Sequence, residues 1–155
     1  MPIQVCYFNK KTNLLLLKES LSNIYGVSID KIHDLYEYNL NSELNFEITE
    51  YNRDNGFCIQ LELFPTKDRI LISKVFNNLI LGIELNRHLK QDILINDETD
   101  DPYQWLLIKD HLLYLVEEQF TEEFNNCIKI DIKHEIDITK SLPLFPDYNA
   151  IINDL

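Results

Sequence analysis

The run Asp97-Glu98-Thr99-Asp100-Asp101 places four carboxylates within five residues. Three kinds of chemistry use such a run. A calcium loop takes oxygens from alternating positions, with a central glycine and a distant bidentate Glu. This run has no glycine, and strand-like sequence lies on both sides of it. A general acid–base pair needs two carboxylates held across a cleft in unlike surroundings, which a solvated turn does not supply. An anionic surface that docks a basic protein needs only a local excess of negative charge. The competing use is a solvated turn that aids solubility. Docking is favoured by the further acids Glu117, Glu118, Glu122 and Glu123. Between Asp92 and Glu123 there are ten acidic side chains and a single base, Lys109, so this stretch holds nine of the chain's twelve net negative charges.

Tyr103 and Trp105 flank Gln104 in a strand-like run and therefore share one side of it. Beside a carboxylate-rich loop they serve either as anchors for a partner or as core. The histidines, His33, His88, His111 and His134, have no second His or Cys three or four residues away, so helical metal spacing is absent. There is no G-x-S-x-G, no glycine-rich phosphate loop and no local Cys–His signature. A triad assembled from distant residues is recognised by geometry and stays open at this level. The sequence thus nominates no catalytic residue, no cofactor-binding residue and no metal ligand. Cys6, Cys58 and Cys127 are odd in number and far apart. They read as buried thiols of a reducing cytosol, not as a disulfide framework or a CxxC site.

With 155 residues, the chain is long enough for one self-sufficient domain spanning 1–155. It is 45% apolar and 26% charged, an ordinary globular profile. A net charge of −12 without a Lys/Arg stripe opposes nucleic acid as a partner. No apolar run is long enough to span a bilayer. Met-Pro-Ile-Gln is not a basic start followed by an apolar stretch, so a cytoplasmic location is expected.

The elements that must position these residues follow from periodicity. Ile3 to Phe8 is rich in strand formers. Asn13 can cap a helix bearing Leu14, Leu17, Leu21 and Ile24, with Gly26 at its stop, and Ser28 starts a second short helix. Leu44, Phe46 and Ile48 alternate with polar residues, as do Ile59, Leu61 and Leu63, around Asp54-Asn55-Gly56. That is a hairpin over 44–64. A wide apolar stripe, Ile72 to Ile83, predicts a long helix over about 67–88, with Gly82 allowing close approach to the sheet. Three apolar runs then form a meander over 92–117, with Lys109-Asp110-His111 as one turn. Glu117 to Asn126 reads as a connecting helical turn, 127–132 and 135–138 as strands, and the tail from Ser141 as irregular. The fold class is α+β, an antiparallel sheet packed on the long helix with N-terminal helices beside it.

The stretch Leu81 to Leu115 carries a resemblance. A helix end leads into Asp-Ile-Leu-Ile (92–95), an acidic Asn-Asp-Glu turn, Asp-Pro-Tyr (101–103), Trp-Leu-Leu-Ile (105–108) and a short turn into another strand. This resembles small cytosolic immunity proteins that guard bacteria against polymorphic toxins, including contact-dependent growth-inhibition toxins. The resemblance covers about a fifth to a quarter of the chain. It departs in the turn after the Trp-containing strand, where Lys109-Asp110-His111 stands in place of Asp/Asn-Gly. It implies no catalysis. It implies a one-to-one complex of a monomer with a cognate toxin, a basic nuclease being the expected kind. Asp97, Glu98, Asp100, Asp101, Tyr103, Trp105, Glu117, Glu118, Glu122 and Glu123 are the expected contact residues. The alternatives from the residues alone are a small acidic enzyme with a carboxylate/His site and a homodimeric interaction module.

Overall fold

Strand formers at the start of the chain build β1 (Gln4–Phe8), and from there the described residues assemble one eight-stranded sheet. A computed structural model describes residues 4–37, 41–51, 56–71, 78–96, 101–119 and 127–136. The remaining strands are β2 (Ile32–Asp34), β3 (Leu44–Glu50), β4 (Ile59–Pro65), β5 (Ile93–Asn96), β6 (Gln104–Lys109), β7 (Leu112–Glu118) and β8 (Ile130–Ile136). Their order across the sheet is β2-β3-β4-β1-β5-β6-β7-β8. Every neighbouring pair is antiparallel except β2 and β3, so the sheet is mixed and not purely antiparallel. The hairpin β3–β4 and the meander β5–β6–β7 are two halves of this sheet, joined by β1 between β4 and β5.

Helices cover one face. In α1 (Leu14–Tyr25) the Asn13 side chain accepts from the Leu16 amide at 3.0 Å, and Gly26 ends the helix at φ 64°. Leu17 and Leu21 face inward and are fully buried. Residues 29–31 form a single 3-10 turn that runs straight into β2, not the second helix expected from Ser28. A three-residue turn exhausts the room between Ser28 and the strand. The long helix expected over 67–88 is described at its two ends, α2 (Asp68–Leu71) and α3 (Asn78–Leu89); residues 72–77 lie outside the described residues.

Gly82 explains how α3 sits so close to the sheet. A Cβ there would stand 2.5 Å from Ile108 Cδ1, 3.4 Å from Ile95 Cγ2 and 3.6 Å from Ile93 Cγ2. The helix backbone therefore rests on three isoleucines of β5 and β6. Phe8, Phe46, Leu61, Leu63, Ile93 and Ile108 belong to this main core.

A second apolar cluster lies on the other face: Phe57, Leu94, Leu107, Val116 and Ile128, with Tyr7, Trp105, Tyr114 and Ile130 packed against it. Among the described residues no helix belongs to this cluster, yet Leu94, Leu107 and Val116 are buried. Curvature supplies the cover. Phe57 and Ile128 exchange backbone hydrogen bonds at 2.9 and 3.2 Å, although four strands separate β4 from β8 in the sheet order. The sheet coils until the approach to β4 meets the approach to β8, a partial barrel closure. Gly56, at φ 134°, passes so near that a Cβ would stand 2.9 Å from the Ile128 carbonyl oxygen.

The closure is also covalent. Cys58 and Cys127 form a disulfide across 69 residues of sequence. This corrects the reading of all three cysteines as free thiols. Spacing along the chain says nothing about two strand approaches that meet only when the sheet curls. Cys6 alone is free, fully buried in β1, and burial pushes its thiol well above the ordinary range. No helix of the described residues is long and apolar enough to cross a membrane.

Candidate functional site

The residues nominated by the acidic segment meet at one end of the β6–β7 ladder. Asp101 is exposed, and its Oδ1 accepts the Tyr103 amide at 2.9 Å, an Asx turn that leads into β6. The Tyr103 carbonyl accepts the Glu118 amide at 2.7 Å, extending the ladder by one rung. The Tyr103 side chain is 54% exposed. Trp105 lies opposite Val116, and its indole N–H donates to Glu118 Oε2 at 3.1 Å. Glu117 pairs with Gln104 and is exposed on the face opposite to Glu118. Asp101, Tyr103, Trp105, Glu117 and Glu118 thus fall within one strand end. Asp97, Glu98, Asp100, Glu122 and Glu123 lie outside the described residues.

Tyr103 and Trp105 have separate roles. Tyr103 stands in solvent before the first residue of β6. Trp105 is half-buried in the concave cluster and meets the Tyr7 ring edge-on, with centroids 5.5 Å apart at 86°. Edge-to-face packing is the arrangement that aromatic quadrupoles favour.

Tyr7 brings in residues that the sequence alone did not single out. It pairs with Gln60 on one side and Leu94 on the other. Its hydroxyl is held above its ordinary pKa by burial first, then by Tyr51, Glu62, Cys6 and Glu118. Glu62 lies directly opposite Glu47 across β3–β4. Tyr36 is exposed and donates its hydroxyl to Glu47 Oε1 at 2.9 Å; that contact is the largest cause raising its own pKa. Tyr51 donates to Gln60 Oε1 at 2.8 Å. The alternation in 44–64 does assign Glu47, Gln60 and Glu62 to the polar side of a hairpin. No signal in it says that β1 would lie beside β4 and carry Tyr7 to them.

A cavity of about 240 Å³ lies between the end of α3 and the β6–β7 turn, lined by Asn86, Arg87, Lys90, Asp92, Asp110 and His111. Three of these residues have positive φ: Lys90 at 54°, Asp110 at 50° and His111 at 66°. Each has a structural cause. The Lys90 amide donates to the Asn86 carbonyl at 3.0 Å, a left-handed helix cap. Asp110 and His111 are the two central residues of a tight hairpin, a backbone shape that Asn-Gly ordinarily adopts. The departure from Asp/Asn-Gly therefore changes residue type and not backbone shape. Buried Asn86 fixes the wall, accepting the His111 amide at 3.2 Å and donating to the Gln91 carbonyl at 2.6 Å. The side chains of Asp92, Asp110 and His111 exchange no hydrogen bond or ion pair among the described residues. Nor is any group of three or more His, Cys, Asp or Glu among the described residues placed to hold a metal ion.

No family model matches the chain, and no curated protein or solved structure matches it either.

Proposed function

We propose that this protein binds and blocks a basic protein toxin, as an immunity protein does, through the acidic end of β6 and β7. The reading assigns it no catalysis and a one-to-one complex. The observation that carries it is exposed Tyr103, set between Asp101 and the Glu118 backbone at the mouth of the most acidic stretch of the chain. Aromatic residues that are exposed yet held in place are the usual anchors of protein interfaces. Clustered carboxylates speed encounter with a cationic surface, up to about 10⁸–10⁹ M⁻¹s⁻¹ at low salt. A toxin has to be met before it acts, so rate is what this charge contributes.

The test is affinity capture from the source cell lysate, with the wild-type chain and with Asp97, Glu98, Asp100 and Asp101 changed together to Asn or Gln. One basic protein held at near-equal stoichiometry supports the reading. The variant should then associate about tenfold or more slowly, with the difference vanishing at high salt. An unchanged association rate removes the acidic docking surface from the account.

The same reading places the chain in the cytosol, where thiols are kept reduced. The Cys58–Cys127 bond stands in tension with that placement. Alkylation of thiols under denaturing conditions at the moment of lysis, followed by mass measurement, decides it: three modified cysteines fit the cytosol, and modification of Cys6 alone fits an oxidising compartment.

A further inference from the structure

We infer that the concave face of the sheet receives an arginine side chain of the basic partner, between the Glu47/Glu62 pair and the Tyr7–Trp105 rings. The inference rests on the basic-partner reading and names the group that the partner inserts.

Strand register defines the face. Residues directly paired across strands share a side. One row is Glu47, Glu62 and Val5; the next is Thr49, Gln60, Tyr7, Leu94, Leu107 and Tyr114; Asn96, Trp105 and Val116, two residues on from Leu94 in the antiparallel register, lie at the level of the first row beyond β1. No Lys or Arg stands in these rows. Like charges directly opposite on neighbouring strands repel. Here the pair is half-buried, and Glu62 has no hydrogen bond or ion pair among the described residues. Two residues back along β3 on the same face, Asn45 is 3% exposed with Oδ1 unpartnered. Among the described residues Glu47 takes one donor, the Tyr36 hydroxyl, while Glu62 and Asn45 Oδ1 take none, beside an aromatic pair fixed by the Trp105–Glu118 hydrogen bond.

The complement is a cation with many donors and a flat surface. A guanidinium has five N–H donors in one plane, bridges carboxylates and packs on aromatic rings. A lysine ammonium is a compact, strongly hydrated point charge and uses the rings less well. Trp105 and Glu118 make this face continuous with the Asp101–Tyr103 end, so one partner can cover both.

Trp105 is the only tryptophan of the chain, and its emission reports on the site. The full-length protein is titrated with oligo-arginine and oligo-lysine peptides of equal length at physiological salt. The expected result is a saturable change in Trp105 emission, with oligo-arginine binding about fivefold or more tightly than oligo-lysine. Glu62→Gln should weaken oligo-arginine by about fivefold, while Glu19→Gln, an equal charge change on exposed α1, should leave it unaltered. Circular dichroism confirms that both variants fold. Equal affinity for the two peptides, equal effects of the two substitutions, or an unresponsive Trp105 would overturn the inference. A silent Glu62→Gln beside a slowed loop variant sinks the arginine receptor and spares the docking reading. Failure to capture a basic partner, with peptide binding still dependent on Glu62, sinks the toxin reading and leaves a guanidinium site.

Discussion

Replacing Gly82 by alanine sets helix propensity against packing. Position 82 lies inside α3, where Ala is favoured over Gly by about 1 kcal/mol. On an exposed helix the variant would be more stable. Here the new methyl would stand 2.5 Å from Ile108 Cδ1, while its 3.4 and 3.6 Å distances to Ile95 and Ile93 are tolerable contacts. Ile108 is 2% exposed, so its terminal methyl has little free space to turn into. Forcing an off-rotamer side chain costs about 0.5–1.5 kcal/mol, and overpacking a core costs about 1–3 kcal/mol in all. Set against the propensity gain, Gly82→Ala should destabilise by about 1 kcal/mol. Ile108→Val deletes the offending Cδ1 and alone should cost about 1 kcal/mol. Together the two changes should nearly cancel, because the alanine methyl fills the space that valine leaves. That is a favourable coupling of about 2 kcal/mol. Urea denaturation followed by Trp105 emission measures all four corners of the cycle. An additive double mutant, about 2 kcal/mol below wild type, would refute the close approach of α3 to β6.

Three further outcomes follow from the same physics. Cys58→Ser should cost about 4 kcal/mol on the chain-entropy account, because the disulfide spans 69 residues; a urea midpoint unchanged by the substitution or by reductant would show that the bond does not form in solution. Glu62→Gln removes a like-charge cross-strand pair and should raise stability by about 0.5 kcal/mol, or about 1–2 °C in Tm by calorimetry, with the gain shrinking as salt is added. Tyr7 and Tyr25 have folded pKa values raised above their ordinary 10.0, and Cys6 above 9.0, chiefly by burial. The unfolded chain then releases these protons first, so stability is full below about pH 9 and falls as pH rises beyond it. Tm measured from pH 8 to 11 should drop across that window, and a flat profile would contradict the burial of these groups.

Local structure was largely legible in the residues. Asn13 and Gly26 mark the two ends of α1 because a side-chain acceptor and a left-handed residue are what helix ends require. Alternation marks β3 and β4, since a half-buried strand must show one apolar face. Gly82 was legible as a place of close approach, because an internal helix glycine carries a cost that packing has to offset. The acidic strand end was legible too: Asp101 to Glu118 are near in sequence, and one meander brings them together.

Long-range placement was not legible. Periodicity places side chains on faces but does not say which strands become neighbours. The position of β1 between β4 and β5 joins the hairpin to the meander, and that alone brings Tyr7 to Trp105 and Glu62. Trp105 and Tyr103 share a strand period, yet one is packed and the other exposed, because burial depends on what the curled sheet folds over. The Cys58–Cys127 bond is the clearest instance. The sequence by itself determined the charge, the helix ends, the strand periods and the acidic segment, which all depend on residues near one another in the chain. The tertiary structure decided the concave face and its disulfide, since coiling an eight-stranded sheet joins residues that local chemistry leaves 69 positions apart.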